Sequence, residues 1–385
     1  MPPLSVRPIT DEQHREFAAD QPWTSFLQTP AWGRVKAEWR RESIGFFDGD
    51  ALIGAGLVLH RPIPRLERYT LAYLPEGPVI DWSAPDLRTW LDPLAAYLKA
   101  NGAFGIRMGP PVVTRRWSAE QVKQGLADPA VRRLQELTPS HREPVGARVV
   151  SQLTSLGWRS QNQLDGFGLG QPQYNFEIPL VRDGVRLSED DVLRGMNQLW
   201  RRNIKKADKA GVVVTTADGS ATPDELTAAL ARFHTLYVET AHRDHFTPRP
   251  LDYFRRMVEA MSDEDPDRIR LFFADHEGDL VASTIMVRVG VHTWYSYGAS
   301  STAKREVRGS NAVQWAMIRR ALEMGAEVYD LRGITPTLDA EDSHVGLIQF
   351  KVGTGGEAVE YVGEWDLPLR RALYSAFDLY MKRRS

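Results

Sequence analysis

Arg270-Leu-Phe-Phe-Ala-Asp-His-Glu-Gly-Asp-Leu280, continuing as Val281-Ala-Ser-Thr-Ile-Met-Val287, is an apolar strand, an acidic-glycine turn and a second apolar strand. That is the pattern of a β-hairpin. The same order occurs earlier, as Ile44-Gly-Phe-Phe-Asp-Gly-Asp50 followed by Ala51-Leu-Ile-Gly-Ala-Gly-Leu-Val-Leu59. The surroundings repeat as well. After the later hairpin come a strand over 293–298, a helix over 310–324 and Gly325-Ala-Glu-Val-Tyr-Asp-Leu-Arg332. After the earlier one come a strand ending near Gly77-Pro78, a helix over 86–100 and Asn101-Gly-Ala-Phe-Gly-Ile-Arg-Met108. A helix is expected before each hairpin, over 32–39 and over 225–240, the second with apolar residues at helical spacing. Helix, hairpin, strand, helix, strand predicts a mixed sheet with helices on its faces, so the chain reads as a duplicated α/β unit.

Length agrees, since 385 residues ask for two cores rather than one. The boundary is expected near Gly170-Gln-Pro172, giving a first domain of 1–172 plus 363–385 and a second of 173–362. Extra helix is expected within 118–158, with Gly157 as its C-terminal stop, and no long coiled-coil arm follows from the pattern. Residues 357–363 look like a further hairpin, and the terminal helix over 368–384 is expected to pack on the first half.

Apolar residues make up 42% of the chain and charged residues 25%, which excludes a largely disordered protein. There is no cysteine, and with it go disulfides, thiolate metal sites and a cysteine nucleophile. The beginning lacks the apolar core of a secretory signal and no apolar run nears the ~18 residues of a membrane span. A cytoplasmic protein is expected. Its formal charge of −2 means that a polyanionic partner must be met by local basic patches.

Five stretches in order resemble the FemABX family, the non-ribosomal peptidyltransferases that build cell-wall cross-bridges from aminoacyl-tRNA. They are Ser25-Phe-Leu-Gln-Thr-Pro-Ala-Trp-Gly-Arg-Val-Lys36, Arg202-Asn-Ile-Lys-Lys-Ala-Asp-Lys209, Thr240-Ala-His-Arg-Asp-His-Phe246, Tyr329-Asp-Leu-Arg-Gly333 and Gly346-Leu-Ile-Gln-Phe-Lys351. The resemblance spans nearly the whole chain. It implies two tandem GNAT-like (N-acyltransferase) domains, no cofactor beyond aminoacyl-tRNA as co-substrate, and an amine of a nucleotide- or lipid-linked muramyl peptide precursor as acceptor. A lipid-linked acceptor implies transient contact with the inner membrane face.

An aminoacyl ester is already activated, so the enzyme has to orient an amine, stabilise an oxyanion and let a proton leave. By resemblance, Lys351 lies near the point of transfer, while Lys36 and Arg243 grip the precursor's diphosphate, one from each half. Arginine suits phosphate through its bidentate fork and lysine through a point charge. Arg201, Arg202, Lys205, Lys206 and Lys209 recur at helical spacing and suit an RNA backbone; a solvated helix face is the plainer reading of the same run. Tyr295 and Tyr297 are read as facing opposite sides of their strand, with Tyr297 as the cleft-lining one; Phe350 is entered beside it, although core packing explains it equally well.

One departure stands out. Where some family members carry an aspartate proposed as base, this chain has Met108-Gly109-Pro110, and Asp81 and Asp330 are the nearest carboxylates by pattern. His242 and His245 lack a well-placed third ligand, so no metal is expected. Gly353, Gly355 and Gly356 read as a hairpin turn rather than a phosphate loop. Three rivals remain: an acyl-CoA N-acyltransferase, against which Glu306 speaks in Glu306-Val-Arg-Gly-Ser-Asn-Ala312; an aminoacyl-tRNA-dependent enzyme with a small-molecule acceptor; and a non-enzymatic wall-assembly adaptor, which the missing aspartate would suit.

Overall fold

The computed structural model describes residues 4–63, 66–161, 170–342 and 344–382. The chain divides into two compact units, the first made of Met1–Arg116, His141–Gln173 and Val359–Ser385, the second of Trp117–Ser140 and Tyr174–Ala358. The second unit thus takes a segment, 117–140, that the expected boundaries leave in the first. Its apolar residues explain why: Trp117, Val122 and Leu134 are fully buried among Phe176, Met317 and Tyr329 of the second unit's core.

In the first unit a seven-stranded sheet runs in the order Ser5–Pro8, Arg40–Asp48, Ala51–Ile63, Leu66–Leu74, Ala103–Met108, Trp365–Pro368, Arg159–Ser160. Leu66–Leu74 and Ala103–Met108 are parallel neighbours, joined through the helix Arg88–Ala100. That helix turns Trp90, Leu91, Leu94 and Leu98 onto Phe46, Val58 and Ile106. The terminal helix Arg371–Lys382 packs back as expected, burying Tyr374 against Leu71 and Phe104. Only the end of its expected span lies outside the described residues.

In the second unit Val213–Asp218, Ile269–His276, Asp279–Val289, His292–Ser300, Val328–Ile334 and Tyr174–Pro179 are successive neighbours in one sheet. The decisive hairpin closes at Glu277 and Gly278, both with positive φ (51° and 86°), the two-residue turn whose twist suits adjoining strands. Thr222 and Glu225 form a reciprocal capping box, with Pro223 in the first turn, and start the helix Pro223–Arg243.

Three expectations change. The helix placed over 32–39 is the single turn and a half Pro30–Val35. The stretch 357–363 is not a hairpin: Glu357–Tyr361 and Trp365–Pro368 belong to different sheets, with Gly363 at φ 77° in the bend between them. The residues before Gly353 are a helix, Val345–Val352, rather than a strand running into a turn. The two helices in the 118–158 stretch, Ala119–Ala127 and Pro144–Ser155, form as expected, and Gly157 follows the second at φ 82°.

Candidate active site

In the second unit the strand Val328–Ile334 is irregular where the motif Tyr329–Gly333 lies: its register against Tyr174–Pro179 slips between Asp330 and Gly333. Arg332 sits there at φ 63°, a left-handed conformation that costs a non-glycine residue about 1 kcal/mol or more and gathers at functional sites. Two groups hold it. The Asp330 carboxylate accepts the Arg332 backbone N–H, and Lys351 Nζ donates to the carbonyls of Arg332 (3.1 Å) and Gly333 (2.7 Å). Lys351 is 3% exposed, and burial lowers its pKa to about 7; Asp330 pulls it back up and the Arg332 charge pushes it further down. Lys351 is therefore a buried amine on a helix, spent mainly on a backbone bulge.

Asp330 is itself 2% exposed, and His292 Nε2 stands 3.7 Å from its carboxylate. Arg332 and Asp330 were not both legible as one site from sequence. The signal was a left-handed residue before Gly333, and a strand pattern does not reveal a bulge.

Tyr297 reaches an aromatic group on the helices Pro223–Arg243 and Leu251–Glu264, and the Arg332 charge acts on its hydroxyl. Its hydroxyl is 3.1 Å from that of Tyr253, and its ring stands edge-on to Phe254 (5.0 Å) and Tyr237 (6.1 Å). Tyr295 faces the other side and packs on the unit's core. Strict alternation would put residues two apart on one face. The opposition comes from a bulge at Ile285/Met286, which pairs Ile285 with Tyr297 and Met286 with Tyr295. Burial raises both hydroxyls, Tyr295 to about 12, so both are neutral donors near pH 7. The Phe350 ring lies 4.8 Å from that of Trp200 at a tilted angle and packs, partly buried, on the core.

Arg243 ends its helix with its guanidinium in use. One nitrogen donates to the Ser300 carbonyl (2.6 Å) and two others clasp the Asp244 carboxylate (2.7 and 2.9 Å). Lys36, in the first unit, follows the helix Pro30–Val35 and lays its ammonium 5.2 Å from the centre of the Trp32 ring. The basic run lies on the helix Gln198–Lys209, started by the Asn197 side chain. Trp200 and Ala207 are its buried face, while Arg202, Lys205, Lys206 and Lys209 are exposed and Arg201 is half-buried, donating to the Arg194 carbonyl.

The first unit holds a second polar group that sequence did not announce. Glu364 accepts from the Tyr73 hydroxyl at 2.5 Å, and burial raises its pKa against the pull of that bond and of Arg107. A Cβ at Gly109 would lie 3.5 Å from Glu364 Cγ, so a carboxyl does stand beside Met108-Gly109, supplied from far along the chain. Two residues on, Asp366, 1% exposed, is clasped by Arg107 (2.7 and 2.8 Å) and bonded by the Tyr374 hydroxyl. Asp81, by contrast, is an exposed turn residue whose Oδ1 accepts from Ser83 N and Oγ. Among the described residues no three metal-ligating side chains converge, and no helix is long and apolar enough to cross a membrane. Arg308, at φ 64°, precedes the helix Gly309–Glu323, and Glu306 nearby is exposed.

Comparison with known proteins bears on both units. The FemAB family pattern matches residues 9–274 and 267–382. The UDP-N-acetylmuramoylpentapeptide-lysine N(6)-alanyltransferase of Weissella viridescens is 26% identical over 378 residues, covering 97% of this chain and 98% of that protein. The lipid II:glycine glycyltransferase of Staphylococcus saprophyticus is 23% identical over 434 residues, covering 96% and 94%. Of solved structures, FemX superposes with a TM-score of 0.77 at 21% identity, over 97% of this chain and 99% of that one. A tandem GNAT protein from the clavulanic acid biosynthesis pathway superposes at 0.52 and 13% identity, over 95% and 98%. The fold is a tandem of GNAT-like α/β units, as expected from the duplicated pattern.

Proposed function

This chain belongs to the FemAB family, and we propose that it transfers an aminoacyl group from aminoacyl-tRNA to an amine of a peptidoglycan precursor peptide. The observation that carries the reading is the end-to-end match, on 96–97% of the chain, to two transferases whose names share one chemistry, an amino acid placed on a wall precursor. Low identity leaves the choice of amino acid and acceptor to this chain's own pockets.

In the reaction, the acceptor amine attacks the ester carbonyl, a C–N bond forms, the C–O bond to the ribose breaks, and the ribose oxygen leaves with a proton. No covalent enzyme intermediate is needed. The exposed cations of Gln198–Lys209 support an RNA donor, because phosphates are held chiefly by such local charge. Lys351, Arg332 and Asp330 form the centre that meets the ester, with Tyr297 among the side chains lining the acyl end. Lys36 and Arg243 bind the precursor's diphosphate.

The deciding experiment uses purified protein, tRNA charged with a labelled amino-acid mixture, and both nucleotide-linked and lipid-linked precursors, read by mass spectrometry. One added aminoacyl mass, lost after RNase treatment, is the expected result. No gain on either precursor would sink the proposed acceptor and send the search to small-molecule amines, then acyl-CoA donors.

A companion measurement concerns the phosphate grip. Lys36→Ala and Arg243→Ala should each weaken precursor binding by about 1.5–3 kcal/mol, the range for a hydrogen bond to a charged group. Arg243 should fall at the lower end, because Asp244 already competes for its guanidinium. Calorimetric titration showing unchanged affinity in both variants would remove the pair from the site.

A further inference from the structure

Arginines of the second unit are for the most part spent on carboxylates: Arg232 on Asp275, Arg243 on Asp244, Arg268 on Glu264, Arg270 on Asp218 and Arg320 on Asp267. Arg249 is different. Among the described residues no carboxylate pairs with it; the residue is exposed, and its guanidinium faces two tyrosines instead. It belongs to the connection 244–250 between the helices Pro223–Arg243 and Leu251–Glu264, in the same unit as the Lys351 centre.

Its backbone is held stiffly. Pro248 and Pro250 flank it, and a proline fixes its own φ and keeps the residue before it in extended backbone. His234, on the preceding helix, places Nε2 3.0 Å from the Arg249 carbonyl oxygen. From there the guanidinium carbon lies 5.3 Å from the centre of the Tyr253 ring, inside the range of a cation–π contact. The Tyr253 hydroxyl is 3.1 Å from that of Tyr297, and the Arg249 side chain acts on the Tyr297 hydroxyl both as a hydrogen-bond donor and as a charge. Tyr253 acts on it in the same sense, as a donor, and the Arg332 charge reaches the same hydroxyl.

A guanidinium donates and never accepts. The Tyr297 oxygen is thus an acceptor towards Arg249, and its own hydrogen is left for another partner. Two cations beside a neutral phenol polarise its O–H and favour negative charge on whatever oxygen takes that hydrogen. A carboxylate in the place of Tyr297 would cancel the Arg249 charge; a phenol passes it on.

We propose that Arg249 is a positioning residue of the transfer: through Tyr253 and Tyr297 it presents the Tyr297 O–H to the carbonyl oxygen of the aminoacyl ester. As the acceptor amine forms the C–N bond, the carbonyl π pair moves onto that oxygen, and Tyr297 donates a hydrogen bond to it while keeping its proton. The pair returns as the C–O bond to the ribose breaks. Arg249 itself touches neither substrate. The proposal rests on the transfer reading for the identity of that oxygen; the hold of Arg249 on the Tyr297 hydroxyl is independent of it.

The test uses the full chain with 3-fluorotyrosine in place of Tyr297, whose single fluorine resonance follows ionisation of the phenol. Arg249→Met should raise the titration midpoint by about one pH unit, because a neighbouring cation favours the phenolate, and Arg249→Lys, which keeps the charge, should bring it most of the way back. In transfer assays Arg249→Met should lower kcat about tenfold with both KM values unchanged, the mark of a group felt only in the transition state. Tyr297→Phe should cost about 100-fold in kcat. Adding Arg249→Met to it should cost nothing more, since the residue through which Arg249 acts is already gone. An unmoved midpoint, an unchanged kcat in Arg249→Met, a loss that appears in KM instead, or losses that multiply in the double variant would overturn the proposal. A moved midpoint with no transfer to any precursor would defeat the reaction reading and leave the hold on Tyr297 standing; transfer with an unmoved midpoint would do the reverse.

Discussion

Lys351→Met is expected to lower turnover by at least about 100-fold while the chain stays folded. Methionine keeps the length and loses the donors, so the carbonyls of Arg332 and Gly333 lose the Lys351 hydrogen bonds. Each buried group without a partner costs about 1–3 kcal/mol, though removing a buried amine that resists charging returns part of this. The bulge, and with it the left-handed Arg332, then loses its clamp, and a displacement near 1 Å in a reacting centre can cost about 100-fold. Circular dichroism and single-turnover transfer would check both halves; near-normal turnover removes Lys351 from the site. A pH profile separates its two possible contributions. With a pKa of about 7 the side chain loses a proton as pH rises through neutrality. The neutral amine retains two N–H groups, enough for both carbonyls, whereas the third N–H exists only in the ammonium form. If that third donor serves the ester oxygen, the rate falls above about pH 7, against the rise that freeing the acceptor amine produces. A rate that only climbs towards pH 9 leaves Lys351 with the bulge alone.

Arg107→Leu should destabilise the first unit by about 3–5 kcal/mol, since removing one partner of a buried pair strands the other's charge. Asp366 is the stranded group: at 1% exposure it has no water to turn to, and Tyr374 is its one other named partner. The replacement of both, Arg107→Leu with Asp366→Leu, should recover most of the loss, because an apolar pair of similar shape carries no stranded charge. Urea unfolding followed by tryptophan fluorescence would measure both variants. If the double variant were as unstable as the single one, the cost would lie in packing rather than in charge.

The repeated hairpins, the helix–Gly–Ala–strand units and the terminal helix were legible in sequence because their apolar periodicity is local and their turns carry glycine where φ must be positive, as at Gly278. Lys351 was found by motif, but its surroundings were misread: Gly353, Gly355 and Gly356 suggested a hairpin turn, while burial of Ile348, Lys351 and Val352 on one side makes a helix before them. The opposition of Tyr295 and Tyr297 depends on a bulge, and a bulge leaves almost no mark on composition. Glu364 and Asp366 were invisible for another reason. Their partners Tyr73, Arg107 and Tyr374 are joined to them only by the fold, up to 291 positions away for Tyr73.

The strand Trp365–Pro368 lies between Ala103–Met108 and Arg159–Ser160 in the first unit's sheet. A nascent chain emerges from its amino end, so everything from Ala103–Met108 up to Pro368 must be translated before that gap can be filled. Until then Ala103–Met108 presents an open edge of backbone donors and acceptors, the kind of surface that chaperones cover and that otherwise seeds aggregation. Early stop codons and amino-terminal fragments would carry this same unfilled edge. The unit that begins the chain is thus the one whose sheet is completed last during synthesis.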